Sequence, residues 1–227
     1  MLQDAVKEIK VALFDMDGLL IDSEKVYCAC WIQAARELGY SLDEERVLTL
    51  RSLDKTLANE LFIGWFSDRA AYERVKTRRK EIMAAKIRQT PLQSKPGVRS
   101  LICELEKRGI KSAVVTASPQ KRAQTHLASV GLGDLFKTIL TTEAVERGKP
   151  FPDVYCYAAE KMGVVPKDCL AFEDSPNGVK SAYEAGCRTV MIPDLTPAAE
   201  ELMPYVDYVY GSLADLAVEL QQGLPER

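Results

Sequence analysis

One histidine, His126, occurs in 227 residues. Zinc centres and the usual serine or cysteine triads need an imidazole at a fixed place, so this scarcity excludes most of them. The surrounding "KRAQTHLASVGL" predicts only a half-buried helix residue. Positive charge is not in surplus either: 30 Lys and Arg against 33 Asp and Glu leave a formal net charge of −3, the wrong sign for neutralising a phosphate backbone. No nucleic-acid partner is expected. The six cysteines contain no Cys-x-x-Cys pair and have no histidine nearby, and they read as reduced core residues. A Gly-x-x-x-x-Gly-Lys-Ser/Thr loop is missing, which removes the P-loop kinases. No apolar stretch approaches the roughly 20 residues of a membrane helix, and "MLQDAVKEIK" has no signal-peptide core. A cytoplasmic, membrane-free protein working through carboxylates, hydroxyls and lysine is the expectation.

What is present is a globular composition, 47% hydrophobic and 28% charged, enough for a large core with a smaller companion. "KVALF" (Lys10–Phe14) is a continuous apolar run, the mark of a parallel strand covered on both faces. Helical spacing follows over Glu24–Leu38, Asp54–Phe66 and Arg69–Arg88, with nothing strand-like between Ser23 and Gln89. The charge run "ERVKTRRKE" in the third of these reads most simply as a solvated helix face, and Trp65 in the second as packing within the block. After the two prolines of "QTPLQSKPGV", strand and helix alternate: "KSAVVTAS", "FKTILTT", "CLAFED" and "RTVMI" are strands, and helices lie between them. "LQQGLPER" at the end reads as a fraying tail. The pattern predicts an α/β fold, a doubly wound parallel sheet with an inserted helical domain. Its division is 1–22 and 91–227 for the core and 23–90 for the insertion.

Ligands of such sheets sit beyond the carboxyl ends of the strands. The residues ending the strands here are Asp15, Asp17 and Gly18, then Thr116, Ala117 and Ser118, then Glu173, Asp174 and Ser175. Lys149 lies in the connection before the fourth strand. Each piece alone has a local explanation: an Asp-Gly turn, a Ser-Pro helix cap, a surface lysine. Their order at successive strand ends is what chance does not supply.

The ordered set "DMDGLLIDSE", "VVTAS", "GKPFPDVY" and "FEDSPNGVKSAYEAG" resembles the haloacid dehalogenase superfamily, in the branch that carries a helical cap after its first motif. The resemblance implies Mg²⁺ as cofactor, held by the Asp15 carboxylate, the Asp17 backbone carbonyl and the Asp174 carboxylate. It implies Asp15 as nucleophile and Asp17 as acid and base. Thr116, Ala117 and Lys149 would bind the transferred phosphate, with Glu173 and Asn177 orienting Lys149 or a metal-bound water from behind. Arg51, Ser52 and Ser118 are candidate substrate contacts, and the cap would hinge near Ile21–Ser23 and Thr90–Pro96. Dehalogenases of this superfamily lack the second acid, so Asp17 points to phosphate chemistry.

The resemblance extends to sugar phosphate phosphatases and to β-phosphoglucomutase. The mutase holds a distal phosphate with cationic groups, and this sequence has Pro119 and Leu53 at two of those places and Tyr27 where the mutase carries a cap histidine. Phosphatase action on a small phosphate monoester, a sugar or sugar-alcohol phosphate, is therefore expected, with the mutase reaction as the alternative. A phospho-accepting receiver groups similar residues but has no helical insertion of roughly 70 residues. A monomer is expected.

Overall fold

The structure is a computed structural model that describes residues 2–222. After a short helix α1 (Leu2–Val6), strand β1 (Val11–Phe14) leads into four helices: α2 (Glu24–Glu37), α3 (Glu44–Thr49), α4 (Lys55–Phe66) and α5 (Ala71–Gln89). Alternation then resumes through α6 (Val98–Lys107), β2 (Lys111–Thr116), α7 (Gln120–Ser129), β3 (Ile139–Thr141), α8 (Asp153–Lys161), β4 (Cys169–Glu173), α9 (Pro176–Glu184) and β5 (Arg188–Met191). Strand β6 (Tyr208–Val209) and helix α10 (Leu213–Gln222) follow.

The six strands are all parallel in the order β3-β2-β1-β4-β5-β6. Strand β1 is central, and every residue in it is buried, which is why its sequence is apolar without alternation. Phe14 is level with Val114 of β2 and with Phe172 of β4. This register brings the residues after Phe14, Val115 and Phe172 onto one rim. Phe14 stacks on Phe172 with centroids 4.5 Å apart and meets Phe136 edge-on at 5.8 Å, so the rim rests on a rigid aromatic layer. Chain order reverses between β1 and β4, and a cleft at the strand ends forms at such a switch point.

The helical block between β1 and β2 has an aromatic interior of its own. Phe62 lies 5.8 Å from Trp31, 5.4 Å from Tyr72 and 5.5 Å from Trp65, measured between ring centroids. The two chain segments joining the block to the sheet run side by side: Asp22 N donates to Gln93 O at 2.9 Å and Lys95 N to Leu20 O at 2.9 Å.

Several expectations need correction. The sheet has a sixth strand, because the two-residue pairing of Tyr208 and Val209 is too short to show as a period. Leu220–Gln222 belongs to α10, with Leu220 buried against the core; the rest of "LQQGLPER" lies outside the described residues. All six cysteines are free, yet Cys103 and Cys156 are exposed. His126 is buried, since Leu127 and Ala123 draw its helix face inward. Ser118 does not cap α7; its hydroxyl turns to the site, and Gln120 N is capped by Glu143 Oε2 at 2.9 Å. Finally, "ERVKTRRKE" is not solvated throughout: Arg79 is buried within it.

Candidate active site

Asp15 follows β1 directly, its backbone N–H bonded to Phe172 O at 3.0 Å, so strand pairing sets the start of its side chain. Its Oδ1 lies 2.5 Å from Lys149 Nζ, and the same ammonium is 2.5 Å from Glu173 Oε1 and 3.2 Å from Val115 O. These three acceptors saturate the lysine. Tyr155 of α8 donates to Glu173 Oε1 at 2.5 Å. All four side chains are buried. Burial pushes the Asp15 carboxyl up to about 8 against the pull of Lys149. Burial works against the lysine charge as well, but Asp15 and Glu173 outweigh it and hold Lys149 above its ordinary range. The lysine is a fixed cation, then, and the aspartate depends on cations for its charge.

Asp174 is also fully buried, and burial raises its carboxyl well above the usual range while Arg51 draws it down. Arg51 reaches in from the helical block: Nη2 donates to Asp174 Oδ2, Nε to Glu24 Oε2 at 3.1 Å and Nη1 to Thr196 Oγ1 at 3.0 Å. Two glycines make room for the acids. Gly18 has φ +87°, and a Cβ there would fall on Asp174 Oδ2; a Cβ at Gly178 would fall on the Glu173 carboxylate.

Asp17 is placed differently. Its Oδ1 accepts from Ser23 Oγ at 2.8 Å and its Oδ2 from Ser118 Oγ at 2.6 Å. Thr116 Oγ1 accepts from Ser118 N at 3.0 Å, which leaves the threonine hydrogen free to donate. Asp15, Asp17, Thr116, Ala117, Ser118, Arg51 and Ser52 line one cavity of about 120 Å³ between the sheet edge and the helical block. Ser52 has φ 54°, an uncommon conformation for a residue other than glycine. Asn177 is not among these residues. Its Nδ2 donates to Thr49 O at 3.2 Å and Arg51 O at 2.8 Å, so it holds the loop that carries Arg51 and does not orient Lys149.

Oxygens of Asp15, Glu173 and Asp174 lie within 4.8 Å of one another. Asp15 Oδ2, Glu173 Oε2 and Asp174 Oδ1 are buried without a hydrogen-bond partner. Unpaired carboxylate oxygens so close together are costly unless protonated or met by a cation. The set fits a hard divalent ion such as Mg²⁺, which favours oxygen ligands. The Asp17 carboxylate is outside this trio.

Residues 12–192 match the family of haloacid dehalogenase-like hydrolases. The chain belongs to that family. It is a hydrolase, and its fold is shared with CbbY from Rhodobacter sphaeroides in complex with phosphate, at a TM-score of 0.76 with 26% identity, covering 92% of this chain and 96% of that one. Among curated relatives, Hexitol phosphatase A of Escherichia coli (strain K12) is 33% identical, covering 92% of this chain and 94% of its own. Beta-phosphoglucomutase of Bacillus subtilis (strain 168) is 26% identical over 93% of each.

Within this haloacid dehalogenase-like hydrolase, sequence reasoning passed over Tyr155, Glu24, Arg79 and Arg122. Tyr155 is in the quoted "GKPFPDVY" but six residues beyond Lys149, and only the turn into α8 returns it to Glu173. Glu24 ends "DMDGLLIDSE" and reads as an ordinary helix start. Arg79 was hidden inside a charge run. Arg122 stands one turn after Ser118, a spacing that could have been noticed, and its Nη2 donates to Ser118 Oγ.

Proposed function

We propose that this hydrolase is a Mg²⁺-dependent phosphatase of small phosphorylated sugars or sugar alcohols that works through a phosphorylated Asp15. One observation carries the reading: Asp15 keeps an unpartnered oxygen at the sheet rim, pinned by Lys149, with Asp17 beside it on a separate pair of hydroxyls. Asp15, Glu173 and Asp174 are the side chains that would hold the ion, with the Asp17 carbonyl. An ion held there would supply charge neutralisation for the clustered carboxylates and polarisation of phosphoryl oxygens.

The chain's own groups divide the remaining work. An Asp15 oxygen attacks phosphorus, the bond from phosphorus to the sugar oxygen breaks, and Asp17 gives that oxygen its proton. Asp17 then takes a proton from water as the water oxygen attacks the aspartyl phosphate, which releases inorganic phosphate and restores Asp15. Lys149 and the Thr116 hydroxyl stabilise charge on the transferred group, the larger part of catalysis in phosphoryl transfer. The serines bonded to Asp17 fix its carboxylate in one orientation. The helical block over 23–90 acts as a cap that excludes water; its contacts to the sheet edge run through Arg51 and through Asp54, whose Oδ2 accepts from Gly148 N at 2.8 Å.

Likeness to a hexitol phosphatase supports phosphatase action on sugar or sugar-alcohol esters, and Leu53, Pro119 and Tyr27 replace the particular groups that the mutase carries at those places, which weighs against the mutase reaction whether or not other groups bind a second anion. The test is to incubate the protein with Mg²⁺ and a panel of hexose, hexitol, pentose and nucleotide monophosphates, measuring free phosphate and isomerised sugar together. Phosphate release from sugar or hexitol esters, abolished in Asp15→Asn, is the expected result. Isomerisation of β-glucose 1-phosphate without net release would overturn it.

A further inference from the structure

Three arginines line the same cavity as Asp15: Arg51, Arg79 and Arg122. Arg51 is matched by Asp174 and Glu24. The other two have no such match. Arg79 of α5 is only 6% exposed, forms none of the hydrogen bonds or ion pairs found among the described residues, and has its Nε buried without a partner. Arg122 of α7 donates to the Ser118 hydroxyl and has its carboxylate neighbour, Asp17, no closer than 4.0 Å; its Nε too is buried and unpartnered.

What holds the two guanidiniums in place is aromatic. The Arg79 carbon lies 5.0 Å from the Tyr27 ring centre and 4.8 Å from that of Trp31, and the Arg122 carbon lies 5.3 Å from the same Tyr27 ring. Stacking occupies the flat faces and leaves the N–H edges free. Burial lowers Arg79 below its ordinary range and the Arg122 charge adds to that effect, outweighing Tyr27; a guanidinium nonetheless remains charged at neutral pH. Lys76, which pairs with Glu73 at 3.1 Å, and Lys80 line a neighbouring pocket that shares Arg79 and Arg122 and also carries Asp54, Glu143 and Glu146. Burial, and after it the charges of Lys76, Arg79 and Arg122, lower Lys80, against the pull of Glu73. A purely structural arginine in such a place would be expected to satisfy its donors within the protein. Here both side chains line a cavity that Asp15 and Asp17 line as well.

We propose that Arg79 and Arg122, with Tyr27 between them, form a second anion site in the reaction cavity, so that the preferred substrate is a phosphate monoester carrying another acidic group at its far end. This rests on the phosphatase reading for the first phosphate and adds the identity of the remote group. A carboxylate or a second phosphate would satisfy the same donors, and either would be bound by charge-assisted hydrogen bonds.

A matched series tests it: glucitol 6-phosphate, gluconate 6-phosphate and glucitol 1,6-bisphosphate share a linear six-carbon chain and differ at C1. Binding is measured by calorimetry with Mg²⁺ on Asp15→Asn, which removes turnover, so the outcome does not depend on hydrolysis. One or both ligands with an anionic C1 group should bind on the order of tenfold or more tighter than glucitol 6-phosphate, the least that one charged hydrogen bond supplies; whichever binds tighter identifies carboxylate or phosphate. Adding Arg79→Gln should erase the difference, read as the ratio of affinities for the three ligands on that same variant, and Arg79→Lys should restore part of it. Should Arg79→Gln fail to fold, Arg122→Gln on the same background takes its place, with the same loss expected. Equal affinity across the series, or an affinity gap that survives both substitutions, overturns the inference. Turnover of the same three esters by the unsubstituted enzyme tests the phosphatase reading separately: no phosphate released despite a preserved affinity gap would sink that reading alone.

Discussion

Removing the charge of Lys149 while keeping its length, as in Lys149→Met, exposes how the site is held together. Its ammonium sits 2.5 Å from both Asp15 Oδ1 and Glu173 Oε1 and is fully buried. Without it two buried carboxylates face each other with no cation between them. Breaking one buried pair by deleting a partner costs about 3–5 kcal/mol, and this lysine serves two, so the upper end applies. Against a total stability of about 5–15 kcal/mol, that is a fall in melting temperature on the order of 10 °C for a chain of this size. Urea denaturation should be followed in EDTA, so that no divalent ion substitutes for the lysine. Lys149→Met/Glu173→Gln is the informative companion, since it removes one of the stranded charges. The second substitution should cost less in the Lys149→Met background than alone, with a coupling of about 0.5–3 kcal/mol. A loss under about 1 kcal/mol for Lys149→Met, or strict additivity in the pair, would refute the account of a lysine shared between two acids.

Gly178→Ala should destabilise by about 1–3 kcal/mol in denaturant titration, because its Cβ would overlap the Glu173 carboxylate; wild-type stability would show that α9 can retreat. Added Mg²⁺ should raise the melting temperature, by about 2.7 kcal/mol of stabilisation at a hundredfold excess over its dissociation constant, and Asp174→Asn should abolish most of that shift in calorimetry. His126 is held below its ordinary value, chiefly by burial, so below about pH 6.5 the unfolded chain binds more protons than the folded one and stability falls. Between about pH 7.5 and 5.5 the wild type should therefore lose more stability than His126→Leu; equal losses in chemical denaturation would contradict the burial effect.

The parts of the fold legible in the sequence were those with a strong local period. "KVALF" and "CLAFED" are apolar throughout because their strands are covered on both faces, and the helices over Glu24–Glu37 and Ala71–Gln89 repeat every three to four residues. Short pieces gave no such signal: Leu2–Val6, Glu44–Thr49 and Tyr208–Val209 are too brief for a period. Burial in a helix also depends on what lies against it, and so local sequence does not show that His126 is buried or that Cys103 and Cys156 are exposed.

Asp15, Asp17, Thr116, Glu173 and Asp174 could be singled out from sequence because parallel strands deliver their terminal residues to one edge, so position in the strand order is position in space; Lys149, in a connection, stood out through the motif "GKPFPDVY". Tertiary structure alone decided the rest. It turned Asn177 toward the backbone of Thr49 and Arg51, brought Tyr155 to Glu173, set Arg51 against Asp174, and brought Arg79 and Arg122 to the cavity that Asp15 lines. The Tyr155 contact is made within the core by the turn into α8; the others depend on how the helical block packs against the sheet edge, and no local propensity encodes which face of a charged helix will be covered.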